Sequence, residues 1–123
     1  MILSDGSLLE PVLCASASYR DGGVRIKEVL MDPHKWDIME VPDLDVNAIK
    51  TWFETNIGCK YDVIGLLSPL APIQSDRTKF FCSESIMCAL GCNEGWRFTP
   101  NAVVGVFEAM NGKWIIKDSK LIE

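Results

Sequence analysis

Phe80-Phe81-Cys82-Ser83-Glu84-Ser85-Ile86-Met87-Cys88-Ala89-Leu90 places a thiol where an amphipathic helix should begin, with Ile86, Met87 and Leu90 as the apolar stripe and Gly91 as the stop. The first backbone N–H groups of a helix have no intrahelical partner, and the summed peptide dipoles put partial positive charge at that end. Both favour thiolate over thiol, and the thiolate is the reacting form. The same N–H groups can donate to an oxyanion forming beside the sulfur, which makes Cys82 the candidate nucleophile of the chain. The competing reading is a small buried apolar side chain, the ordinary use of a free cysteine.

Upstream of this helix the pattern is that of strands and turns. Ile2 and Leu3 read as the tail of a strand, Ser4-Asp5-Gly6 as a tight turn, and Leu8 to Tyr19 as a returning strand interrupted by Pro11. Asp21-Gly22-Gly23 is a second turn signal, and Val24 to Leu30 alternates as a strand until Asp32-Pro33 breaks it. Trp36 to Val41 supplies another short strand, so the first third predicts an antiparallel meander. Asp43 or Asp45 can cap a helix running to about Asn56, with Val46, Ile49, Trp52, Phe53 and Ile57 at helical spacing and Gly58 as its stop. Tyr61 to Leu67 predicts a short helical turn, followed by a Pro-containing loop through Asp76-Arg77. Beyond the Cys82 helix, Thr99-Pro100 opens a helix to about Met110, and Asn111-Gly112 turns the chain into a last strand at Trp114-Ile115-Ile116.

The 123 residues fit one domain, 1–123, with 48% hydrophobic and 24% charged residues, enough to build a core without disulfide staples. Net charge −5, with no basic stripe visible, argues against nucleic acid as a partner. Five cysteines, an odd number scattered through apolar sequence, do not form a secreted disulfide framework. The first residues lack a basic region and a long apolar run, and no later run reaches membrane-spanning length, so a reducing, cytoplasmic setting is expected. Cys88 and Cys92 share a helix face, but one pair with a single histidine in the chain is a poor zinc framework, and no metal is expected. Trp36, Trp52, Trp96 and Trp114 read as core or rim packing.

Three segments taken together resemble a known family: Ser16-Ala17-Ser18-Tyr19-Arg20-Asp21-Gly22-Gly23-Val24-Arg25, Gly58-Cys59-Lys60-Tyr61-Asp62-Val63-Ile64-Gly65-Leu66-Leu67, and Phe81-Cys82-Ser83-Glu84. The combination is similar to the circularly permuted papain-fold cysteine hydrolases, the YiiX-like relatives of the NlpC-type cell-wall peptidases, and especially to small bacteriophage and prophage members. The resemblance runs from Ser4 to about Pro100. It implies an α+β, permuted papain-like fold with a small antiparallel β-sheet packed against helices and the nucleophile at a helix N-terminus. It implies Cys82 as nucleophile through a thioacyl intermediate, Tyr61 beside the thiol orienting substrate or oxyanion, and Ser83, Ser16 and Asp62 as substrate-side polar groups. Ser16 falls where the family's third, orienting group lies. The implied substrate is peptide-like or acyl, with an amide or ester bond to break, no cofactor, and the host cytoplasm as setting for a phage product.

Members of that family carry a histidine on a strand just before a turn like Ser4-Asp5-Gly6, and no histidine stands there. The one histidine, His34, sits in Asp32-Pro33-His34-Lys35-Trp36, which reads as an exposed connection. A thiol nucleophile gains about 10²- to 10⁴-fold from a base. Two expectations follow. Either the native gene product extends upstream of Met1 and supplies a histidine-bearing strand, or the domain keeps a hydrolase scaffold and works by binding a protein partner without turnover. A strand cut short at Met1 also leaves a sheet edge open to a partner strand. Glu84, one turn inside the helix, reads as a capping or solvent-facing carboxylate.

Overall fold

The computed structural model describes residues 1–4, 8–63, 79–118 and 120–121. The chain is α+β. Strands β1 (Val12–Ser18) and β2 (Gly23–Val29) form a hairpin, followed by β3 (Ile38–Glu40), α1 (Val46–Thr55), β4 (Lys60–Tyr61), β5 (Lys79–Phe80), α2 (Cys82–Ala89), a 3₁₀ turn (Gly95–Arg97), α3 (Pro100–Ala109), β6 (Lys113–Lys117) and β7 (Lys120–Leu121). One sheet has the order β1-β2-β4-β5 and the other β3-β6-β7.

Two expectations change. The meander stops after β2, because β3 leaves the first sheet and pairs antiparallel with β6 near the other end of the sequence, with a register shift between Ile38 and Met39. A partner so distant in sequence leaves no local signal. The first sheet is also not purely antiparallel, since β4 and β5 run parallel with Lys60 opposite Lys79 and Tyr61 opposite Phe80. Of the helical turn expected over Tyr61 to Leu67, Tyr61 is strand, Val63 is helical, and residues 64–67 lie outside the described residues. The reason is Gly23. A Cβ there would stand 1.9 Å from the Cys59 carbonyl oxygen, so only glycine lets the two backbones close. The Val24 N–H then donates to Cys59 O at 2.8 Å, and the Gly58 N–H to Val24 O at 3.1 Å.

The expected helices α1 and α3 form where their local chemistry put them, whereas the Ser4-Asp5-Gly6 turn beyond Ser4 and the loop through Asp76-Arg77 lie outside the described residues. Asp45 caps α1 by accepting the Ala48 N–H at 3.0 Å, while Asp43 takes the left-handed conformation, φ 61°, before it. Ile49 and Phe53, four apart on α1, are buried, and the Phe53 side chain contributes about 2 kcal/mol by leaving water. Thr99 caps α3 by accepting the Ala102 N–H at 3.1 Å, with Pro100 as first helical residue. Met1 to Leu3 lie along the free edge of β1, with Ile2 opposite Cys14 and the Ala15 N–H donating to Met1 O at 2.8 Å.

Strand alternation divides the hairpin between two cores. Ala15, Ala17 and Val24 face α1 and α2, where they meet Ile49, Phe53, Phe80 and Ala89. Val12, Cys14 and the half-buried Val29 point the other way and meet Ile38 and Ile116 of the second sheet.

Candidate active site

Cys82 is the first residue of α2, immediately after the fully buried Phe81, whose ring anchors the turn from β5 into the helix. The first intrahelical bond runs from the Ser85 N–H to Phe81 O at 3.0 Å, so the N–H groups of Cys82, Ser83 and Glu84 stand outside the helical ladder. Glu84 is buried, and its carboxylate accepts the Phe81 N–H at 3.3 Å. That is the capping role its position suggested, here without a hydrogen-bonding side chain at the cap residue itself. The Ser85 hydroxyl donates to Cys82 O at 2.7 Å and ties the start of the helix from inside.

β4 brings Tyr61 to this helix start. Its hydroxyl interacts with the Cys82 thiol and with the Cys82 backbone N–H. Burial pushes the Tyr61 phenol above its ordinary range, charge on Cys82 and the hydrogen bond with its side chain push it further, and the Cys82 N–H pulls the other way. The net direction keeps Tyr61 protonated and therefore a donor. Tyr61 in turn meets the edge of Tyr19, 6.0 Å between centroids at 78°. Tyr19 sits in the β1–β2 turn with 75% of its surface exposed, so a half-buried sulfur, a phenol and an open aromatic face lie in succession.

The remaining expected residues are distributed differently. Ser83 is buried, and its hydroxyl donates to Phe98 O at 2.7 Å, fastening α2 to the end of the 3₁₀ turn. Asp62 follows Tyr61, is 4% exposed, and donates its N–H to Phe80 O at 3.1 Å. Ser16 pairs with Arg25 on the face of β1 opposite the one that carries Ala15 and Ala17 toward α2. Of the five expected residues, Cys82 and Tyr61 are brought together. Tyr19 was missed as a site residue, although it stood in a quoted motif, because only the β2–β4 pairing sets it against Tyr61.

His34 is exposed in the turn after β2, with its N–H donating to the Asp32 carboxylate at 2.9 Å. It lies beyond the Val29 end of β2, whereas Tyr61 adjoins the Gly23 end, and seven strand residues separate those ends by roughly 20 Å. Cys88 lies further along α2. Burial first, then the Glu84 carboxylate, push its thiol up to about 11, against a smaller opposing pull from the Gly95 backbone. Burial likewise raises Cys14. Among the described residues no group of three His, Cys, Asp or Glu side chains could hold a metal ion. A recess of about 830 Å³ opens between the second sheet, α1 and α3, walled by Ile38, Leu44, Phe107 and Trp114, with Ile86 of α2 at its edge, and neither Cys82 nor Tyr61 lines it.

Comparison with protein-family models, curated proteins and solved structures finds no match to this chain. No helix among the described residues is long and apolar enough to cross a membrane.

Proposed function

We propose that the domain is a cysteine hydrolase of permuted papain-like lineage, in which Cys82 attacks the carbonyl carbon of an ester or amide and carries the acyl group as a thioester. The observation that carries this reading is the pairing of Cys82, at the first position of α2, with a Tyr61 hydroxyl that interacts electrostatically with its thiol and its backbone. In the proposed step the carbon–sulfur bond forms as the bond to the leaving group breaks, and the thiol proton passes to the departing oxygen or nitrogen or, where the leaving group departs as an anion, to solvent water. Tyr61, held protonated, donates to the oxyanion or hands a proton to the leaving group, and the N–H groups at the helix start add to the oxyanion site. Water then releases the acid from the sulfur. With His34 placed beyond the far end of β2, activated esters, whose leaving groups depart without a proton, are the substrates this pair handles best.

The second reading, a scaffold that binds a protein partner without turnover, is favoured by the position of His34. Incubation with an aryl ester separates the two by intact mass. An acyl adduct on Cys82 that is lost in Cys82→Ala and decays with time supports the hydrolase. No adduct on Cys82 supports the binding scaffold.

A further inference from the structure

The hairpin face turned away from α1 and α2 is covered by the second sheet at Val12, Cys14 and Val29. Nearer the β1–β2 turn its composition changes. By strand register that face carries Ser16 and Ser18 from β1, Arg25 and Lys27 from β2, Lys60 from β4 and Lys79 from β5, with Ser16 opposite Arg25, Gly23 opposite Lys60 and Lys60 opposite Lys79. Lys27 is held by Asp21 at 2.7 Å. Arg25 and Lys60 are exposed, Lys79 is half-buried, and none of the three takes part in an ion pair among the described residues. Four strands thus assemble a basic face on a chain whose net charge is −5.

We propose that this face docks a short acidic polypeptide segment. The argument is charge complementarity at a fixed scale. The Cα positions of Arg25, Lys60 and Lys79 fall within about 12 Å of one another, the span of three or four residues of extended chain. Carboxylates on alternate residues of such a segment meet successive cations, and Ser16 and Ser18 offer hydroxyls beside them. A nucleic acid needs more neutralised phosphates than the three cations without an ion pair among the described residues supply, and its long backbone meets the acidic remainder of the molecule. An anionic membrane is held by clusters of about four to eight cations, again more than those three. The surface is separate from the thiol site, since Cys82 meets the opposite side of the sheet, and stands whether or not Cys82 turns over substrate.

The experiment is a fluorescence-anisotropy titration of the whole chain with a labelled glutamate-rich peptide and its glutamine counterpart at low salt. The glutamate peptide binds, the glutamine peptide does not, and affinity falls as salt rises. Arg25→Gln combined with Lys60→Gln weakens binding about tenfold, whereas Lys50→Gln on α1 changes it by less than about twofold. Thermal melting by circular dichroism checks that the double variant folds, and Lys60→Gln alone gives the reading if it does not. Equal binding of both peptides, an equal loss in Lys50→Gln, or tighter binding of a single-stranded oligonucleotide or of phosphatidylserine vesicles overturns the proposal. Salt-sensitive self-association that the glutamate peptide fails to displace also overturns it, by assigning the face to a second copy of the chain.

Discussion

Cys82 and Cys88 stand on the same helix, six residues apart, and their surroundings separate them completely. Cys82 opens α2, half-exposed, against the Tyr61 hydroxyl and beside backbone N–H groups outside the helical ladder. Cys88 lies past the middle, pressed on Gly95, near Glu84 and Cys92, with its proton held up to about 11. The difference teaches that a thiol's chemistry comes from where the helix starts and what the sheet brings to that point. The residue type is the same in both.

The comparison breaks most visibly in acyl transfer. Cys82→Ser is expected to lower the rate of adduct formation from an aryl ester at least about 100-fold, while Cys88→Ala leaves it within about twofold, both read by intact mass. Equal losses would mean that the two thiols are not distinguished by place. Next in size is Gly23→Ala. Its Cβ meets the Cys59 carbonyl at 1.9 Å, so β4 must shift and carry Tyr61 with it. Urea unfolding should show a loss of about 1–3 kcal/mol, accompanied by slower acylation of Cys82. A stability loss with acylation unchanged would show that Tyr61 does not serve the thiol.

Gly95→Ala tests the other end of the comparison. The added carbon stands 2.8 Å from Glu84 O and 2.9 Å from the Cys88 sulfur, and about 1–3 kcal/mol of stability should be lost with Cys82 reactivity retained. The smallest effect concerns pH. The Cys88 thiol is raised from 9.0 to about 11 in the folded chain, so the unfolded chain ionises first. The stability this group contributes is full below pH 9 and declines as pH climbs from there through about 11. Cys88→Ala should flatten that alkaline limb in urea titrations, and Glu84→Gln should bring the alkylation midpoint of Cys88 down by removing a nearby negative charge. An unchanged midpoint in Glu84→Gln would leave burial, with the smaller contribution of Cys92, as the cause.

Elements whose signals are local were legible before any coordinates. The Asp45 and Thr99 caps, the apolar spacing of Ile49 and Phe53, and Pro100 fix α1 and α3 within a residue or two, because the hydrogen bonds and packing that make a helix lie within a turn of its own sequence. Cys82 at a helix start was legible for the same reason. Tyr61 was expected near the thiol from resemblance, yet its local structure was misread. A two-residue strand has no periodicity, and its partners, Gly23 and Phe80, are distant in sequence.

The amino-acid order by itself determined the helices, the hairpin, the acidic balance and the thiol at the head of α2. Only the tertiary structure decided that β3 joins β6, that Tyr61 meets Tyr19 on one side and Cys82 on the other, and that Arg25, Lys60 and Lys79 share one face. Helices and tight turns are written in contacts a few residues apart. Strand pairing joins segments separated by long stretches of chain, and the charge and chemistry of a sheet face exist only once the register is set.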